Sequence, residues 1–198
     1  MIDLKLADLQ TDTSTAPDVS VAGGKYADID NVAKVDEVAK VLLQPRGVGR
    51  VEHGKTKHFY SDGAFNLIQL VTYILKQTGP AHVLLTSYSI AEESVQVLRR
   101  KVDKGEILDI RFIIDNRVKS MSPKPFDVLA RSFPGCFRCR AIHAKVALIY
   151  NEMWKITVIG SQNATRNPKL ERGIIHTDEE VFNFDLKILE DEFDKGTT

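Results

Sequence analysis

Two buried-type strands separated by a helix constrain the fold of this chain most. Residues 82–88 and 108–114 are rich in Val, Leu, Ile and Phe, which is typical of strands covered on both faces. Residues 91–104 between them have the apolar spacing of a helix, and Gly105 supplies its end. Strands separated by helices predict an α/β domain.

The other predicted elements complete a mixed β-sheet flanked by helices. Apolar residues at helical spacing predict a helix over 64–77, closed by Gly79 and Pro80. Beyond the second strand, the pattern predicts a short helix at 125–133, strands at 141–149, 154–159 and 173–176, and a helix from Asp178.

The first 45 residues differ in composition from the rest. They are rich in Asp, Ser, Thr and Ala with little periodicity, apart from 35–43, which has the pattern of a short helix or strand before Pro45. We therefore expect residues 1–45 to be an acidic, flexible or loosely docked arm, and residues 46–198 to form one domain.

Charge is distributed unevenly although the net charge is zero. Residues 1–37 hold eight acidic and three basic residues, and 178–198 hold eight and two, so 38–177 has a surplus of eleven basic residues. The stretch 128–151 contains several Arg and Lys and no carboxylate. This surplus favours a polyanionic partner such as nucleic acid, although exposed lysines also serve simply to solubilise a fold.

Neither apolar runs nor cysteines indicate a membrane or a secretory environment. No apolar stretch reaches membrane-spanning length, and the N-terminal residues lack the basic head and apolar middle of a signal peptide. Two cysteines do not make a disulfide framework. We expect a cytoplasmic protein with no membrane partner.

A polar pair interrupts the apolar strand predicted at 141–149. His143 and Lys145 are two residues apart, so a strand would place both side chains on one face, followed there by Ala147 and Ile149. The next strand delivers Ser161 and Asn163 just past its end. An unpaired lysine is costly in a buried strand, so this grouping predicts an anion site.

The same residues resemble the motif of the phospholipase D-like superfamily, His-x-Lys followed by Gly-Ser-x-Asn. The resemblance covers about 59–198, and the segment 167–171 resembles the family segment whose glutamate, here Glu171, braces the histidine. Tyr150 stands where the family usually has Asp.

The resemblance implies a metal-independent phosphodiesterase without a cofactor. His143 would attack phosphorus as a nucleophile or protonate the leaving oxygen, Lys145 and Asn163 would hold the phosphate, Ser161 would support them, and Glu171 would orient His143. Because the chain carries one motif and the reaction needs two histidines, the resemblance implies a homodimer. With the basic surplus, a nuclease is favoured. A phospholipid hydrolase or transferase, and a nucleic-acid-binding module with a lapsed site, are the alternatives.

Two further motifs imitate other sites. Residues 49–56 satisfy the P-loop pattern, but the sequence that follows turns at 61–63 and predicts no helix to bind phosphate. Cys136 and Cys139, with His143 nearby, imitate half a zinc site without a second cysteine pair. We therefore predict no metal site.

Several residues near strand ends are weaker candidates. Ser87, Ser89, Asp115 and Arg117 lie where open α/β sheets bind ligands, although such residues are more often caps or turns. Trp154 is expected to pack on the sheet, with base stacking as the less favoured role.

Overall fold

The computed structural model describes residues 24–30, for their backbone, and residues 48–198. The strands are β1 (Gly24–Asp30), β2 (Lys55–Asp62), β3 (Ala81–Ser87), β4 (Ile107–Asp115), β5 (Phe137–Arg140), β6 (Val146–Tyr150), β7 (Lys155–Gly160) and β8 (Leu170–His176). The helices are α1 (Leu67–Thr78), α2 (Glu92–Asp103), α3 (Val118–Met121), α4 (Pro123–Ser132) and α5 (Glu179–Asp194).

All eight strands belong to one mixed sheet in the order β1-β2-β8-β7-β6-β3-β4-β5. β3, β4 and β5 are parallel neighbours, and every other pairing is antiparallel. The helix α2 makes the crossover between β3 and β4, as parallel strands require. The predicted α/β class with a mixed sheet flanked by helices is confirmed.

The sheet is covered on both faces of its centre. Residues of α1, α2 and α4 pack on one face, where the larger core cluster lies, and α5 packs its Phe182, Leu189 and Phe193 on the other. Along β6, Ala147 and Ile149 join the first cluster while Val146 and Leu148 join the second. The predicted alternation is therefore confirmed from residue 146 onward.

Local sequence explains where α1 begins and ends. Asn66 caps the helix by accepting a hydrogen bond from the Gln69 amide, and the Gln69 side chain accepts in return from the Asn66 amide. Gly79 closes the helix at a φ of 75° and donates its N–H to Leu75. The helix predicted over 64–77 thus begins three residues later than expected, at its cap.

The structure corrects the prediction for 141–149. The strand begins at Val146, so His143 and Lys145 precede β6 and do not share a strand face. The short strand β5, in the basic stretch just before them, has no counterpart in the predicted elements. It forms because its backbone pairs with β4 and bridges to Thr197 at the C-terminal end.

Part of the predicted N-terminal arm belongs to the sheet. Residues 24–30 pair with β2 along seven register positions as an edge strand. The predicted element at 35–43 lies outside the described residues, and the arm as a whole stays a prediction.

The structure bears on two features that the sequence argued against, a P-loop and a membrane-spanning helix. The P-loop-like segment leads directly into β2 rather than into a helix, as predicted. Within the described part of the chain, no helix is both long and apolar enough to span a membrane.

Candidate active site

The predicted site residues come together along one edge of the sheet, the edge that is formed by strand ends rather than by an outer strand. There β3, β4 and β7 end, while β6 and β8 begin. The segment with His143 and Lys145 enters β6, Ser161 and Asn163 leave β7, and Glu171 opens β8.

Buried polar side chains hold the segment 142–146 away from the strand ladder. The Thr86 hydroxyl donates to the Ala144 carbonyl (2.8 Å) and accepts from the Val146 amide (3.0 Å). Asp115 Oδ2 accepts from the Ile142 amide at 3.2 Å. Because these side chains take the backbone groups that a sheet neighbour would otherwise take, β6 begins only at Val146.

His143 and Lys145 are in direct contact despite lying outside the strand. His143 is exposed, whereas the Lys145 side chain is buried, with 7% of the residue accessible. Lys145 Nζ lies 3.1 Å from His143 Nδ1 and donates to the His143 carbonyl at 2.6 Å. Burial lowers the pKa of Lys145, and the negative charges of Glu171 and Asp115 partly oppose this. The site therefore holds one ammonium group beside an accessible imidazole.

An aromatic ring and an ion pair flank the histidine. The Tyr88 ring centroid is 5.0 Å from that of His143, and the Arg117 guanidinium lies over the Tyr88 ring, 4.5 Å from its centroid. Arg117 also donates to the buried Asp115 at 2.8 Å, and this hydrogen bond lowers the pKa of the carboxyl group. Two of the weaker sequence candidates thus belong to the site.

Thr86 and Tyr88 were not among the predicted site residues. Both sit at the end of β3, where Thr86 is fully buried and Tyr88 is half-buried. The signal that the sequence offered is a threonine directly after the apolar run Val83, Leu84 and Leu85.

The buried Glu171 forms a hydrogen-bond network with the exposed Ser161 and the partly buried Asn167. Its two carboxylate oxygens accept hydrogen bonds from the Ser161 hydroxyl and from the Asn167 side-chain amide. The sequence predicted that Glu171 would accept from His143, but the hydrogen bonds it makes within 48–198 come from these two residues instead. Glu171 binds Ser161 because β7 ends beside the start of β8, which brings the two residues together. The Ser161 amide also donates to the Arg172 carbonyl. Glu171 acts on the His143 side of the site through its charge on Lys145.

Asn163 reaches the site through Ser87. The Ser87 hydroxyl lies 3.5 Å from Asn163 Oδ1 and accepts from the Ala164 amide at 3.0 Å. The Asn163 carbonyl in turn accepts from the amide of Leu67, the first residue of α1. The loop after β7 is therefore tied to both β3 and α1. The neighbouring Gly160 allows the end of β7 to lie close to β8, since a Cβ atom there would lie 3.1 Å from the Arg172 carbonyl oxygen.

Tyr150 lies at the opposite end of β6 from Lys145. Five residue steps along the chain separate the two by about 16 Å. The Tyr150 ring stacks on His82 and packs against Phe182 of α5. The position where the superfamily usually has Asp is thus remote from the residues gathered around His143.

Trp154 and the two cysteines, also considered from the sequence, take no part in the site contacts described above. Trp154 is partly buried against the core and stacks on His53 with ring centroids 3.7 Å apart, as expected of a packing residue. Cys136 and Cys139 are free thiols, and burial raises the pKa of both. No cluster of three or more His, Cys, Asp or Glu suited to a metal ion occurs among the described residues.

Comparison with known proteins identifies the fold. No protein-family model matches the chain, and no curated protein matches it in sequence. Among solved structures, Nuc from Salmonella typhimurium, described as a phospholipase D family member, matches with a TM-score of 0.52 and 17% identity over 65% of this chain and 88% of Nuc. NucT from Helicobacter pylori matches with a TM-score of 0.50 and 15% identity, over 71% of this chain and 97% of NucT. Polyphosphate kinase from Porphyromonas gingivalis matches with a TM-score of 0.52 and 13% identity, over 72% of this chain and 26% of the kinase. The chain has the phospholipase D fold.

Proposed function

We propose that this protein is a metal-independent phosphodiesterase, and specifically a nuclease. The observation that carries the proposal is the contact between the accessible imidazole of His143 and the buried ammonium of Lys145 at the edge of a phospholipase D fold. A buried cation without a carboxylate partner in direct contact is costly unless an anion binds beside it. A phosphodiester is an anion that needs both a nucleophile and a fixed positive charge.

The reaction proceeds in two displacements at phosphorus. A ring nitrogen of His143 forms a bond to phosphorus while the bond from phosphorus to the leaving oxygen breaks. The protonated form of the same histidine in a second copy gives its proton to that oxygen. That second histidine then takes a proton from water as the water oxygen displaces the His143 nitrogen and restores the enzyme.

The other side chains hold the phosphate and the nucleophile. Lys145 and Asn163 donate to the non-bridging oxygens, whose charge grows in the transition state. Ser161 and Glu171 fix the end of β7 against β8, and Glu171 favours the protonated form of Lys145 through its charge. Lys145 must be protonated to act, so activity falls as the pH rises through its lowered pKa.

The decisive test is hydrolysis of an oligonucleotide in EDTA by wild type and by His143→Ala. We expect the wild type to cleave with EDTA present, and the variant to be slower by on the order of 10³-fold. His53→Ala is the matched control, because His53 is also exposed but stacks on Trp154. Full cleavage by His143→Ala, or abolition of wild-type cleavage by EDTA, would refute the proposal.

The dimeric site is tested separately by mixing subunits. We expect a dimer in sedimentation equilibrium, with specific activity that falls on dilution below its dissociation constant. Heterodimers of one wild-type and one His143→Ala chain should lack multiple turnover, because each reaction uses both histidines. A monomer with concentration-independent activity would contradict the shared site.

A further inference from the structure

The loop between β7 and β8, together with the start of β8, presents three exposed cations beside the candidate active site. Arg166, Lys169 and Arg172 follow one another at intervals of three residues, and all are exposed. None of the three forms an ion pair with a carboxylate of residues 48–198. This separates them from three arginines on the other side of His143, which are paired with carboxylates.

Those paired arginines show the contrast clearly. Arg117 is bound to Asp115, Arg140 to Glu192 at 2.6 Å, and Arg111 to Glu190 at 3.1 Å. The charges of these three arginines are thus neutralised within the fold, whereas Arg138 of β5 donates to backbone carbonyls. From the β7–β8 loop to the start of β8, each of the three exposed cations lacks a carboxylate partner in residues 48–198.

The loop is held in place by contacts that do not use its cationic side chains. Asn167 donates its side-chain amide to Glu171 and accepts from the Lys169 amide at 3.1 Å. The loop also presses on the turn after β2, where a Cβ atom on Gly63 would lie 2.9 Å from Pro168 Cα. A loop held in this way presents its charges in a defined arrangement, so less ordering entropy is lost when a ligand binds.

The three cations extend across the sheet edge. Arg166 lines a groove of about 180 Å³ between the starts of α1 and α2. Arg172 is the third residue of β8, with its guanidinium 3.1 Å from His58 Nδ1 and 6.0 Å from the Tyr60 ring centroid. Six residue steps span at most about 20 Å. This length matches several consecutive phosphates of one nucleic-acid strand.

We propose that Arg166, Lys169 and Arg172 bind the phosphates of a nucleic-acid strand next to the phosphate held at His143. The inference rests on the proposed function and names the surface that receives its substrate. Aromatic rings lie at two points of this surface, Tyr60 beside Arg172 and Tyr88 beside His143. Cations interleaved with rings fit a strand with bases better than an inorganic polyanion, since rings stack on bases.

The test compares binding and turnover of the triple variant Arg166→Gln, Lys169→Gln, Arg172→Gln. Binding of a fluorescent single-stranded oligonucleotide is measured by anisotropy against salt concentration in a His143→Ala background, so the strand stays intact. Loss of three phosphate contacts should reduce the slope of log affinity against log salt by about 2. In the background with His143 intact, hydrolysis of bis(p-nitrophenyl) phosphate, which is too small to reach the loop, should stay within about twofold of wild type.

A matched control removes three exposed lysines away from the loop, which are Lys76, Lys104 and Lys187. This control should leave the salt slope nearly unchanged. An unchanged slope in the loop variant, or equal binding of inorganic polyphosphate and an oligonucleotide of the same charge, would overturn the inference. If the wild type binds the strand with the expected slope change but cleaves nothing, the proposed function fails while the surface stands.

Discussion

Replacing Thr86 by valine should detach the segment that carries His143 and Lys145. The Thr86 hydroxyl donates to Ala144 and accepts from Val146, and the residue is fully buried. Valine has nearly the same shape but neither donates nor accepts. The Val146 amide would then be buried without a partner, whereas the Ala144 carbonyl lies in an exposed residue and regains water.

The size of the effect follows from these two groups. An unsatisfied buried amide costs about 1–3 kcal/mol, and a lost hydrogen bond to a group that returns to water costs about 0.5–1.5 kcal/mol. Thr86→Val should therefore lower the free energy of unfolding by about 2–4 kcal/mol. In a domain of this size, that corresponds to a Tm lower by about 5–15 °C.

Thr86→Ser separates positioning from packing. Serine keeps the hydroxyl and loses one methyl group, which costs about 1 kcal/mol. We expect this variant to keep kcat near the wild-type value, while Thr86→Val lowers kcat by about 10- to 100-fold with a smaller change in KM, because the nucleophile is misplaced. The measurements are urea unfolding and steady-state hydrolysis of a small phosphodiester. Wild-type stability together with wild-type kcat in Thr86→Val would refute the reasoning.

Two other substitutions test the charge and the loop around the site. Glu171→Gln removes a negative charge that raises the pKa of Lys145. The alkaline limb of the plot of kcat/KM against pH should therefore move to lower pH. An unmoved limb would show that Lys145 does not govern the alkaline loss of activity. Gly63→Ala puts a Cβ atom against Pro168 at a φ of 69°, whereas Gly105→Ala at the same φ meets nothing within 4 Å. Both should lose about 1–2 kcal/mol to backbone strain, and only Gly63→Ala should also lower kcat/KM. Equal activities in the two glycine variants would argue against a role for this loop contact.

The sequence predicted the architecture well because most elements are decided by local patterns. The helix α1 has its capping residue and closing glycine, and the alternation within β6 matches its two covered faces. The short strand β5 was missed because its four residues carry two arginines. What makes it a strand is its pairing with β4 and with the end of the chain, which no local pattern reports.

The structure brings the predicted site residues to one edge of the sheet, but through contacts that the sequence did not indicate. His143 and Lys145 meet as expected, yet through a segment that side chains from distant positions hold off the sheet. Thr86 and Asp115 lie 58 and 27 residues from the backbone atoms they bind, so spacing around His143 carries no trace of them. The partners of Glu171 likewise depend on which strand ends meet at this edge.

The most direct measurement is a search for a covalent intermediate on His143. The protein is mixed with an oligonucleotide labelled at its phosphates, denatured in alkali during turnover, digested, and its peptides are mapped by mass spectrometry. We predict a phosphate linkage on the peptide that contains His143, absent from His143→Ala and lost when excess unlabelled substrate completes turnover. Turnover without any protein-bound phosphate, or a linkage on a different residue, would contradict the mechanism.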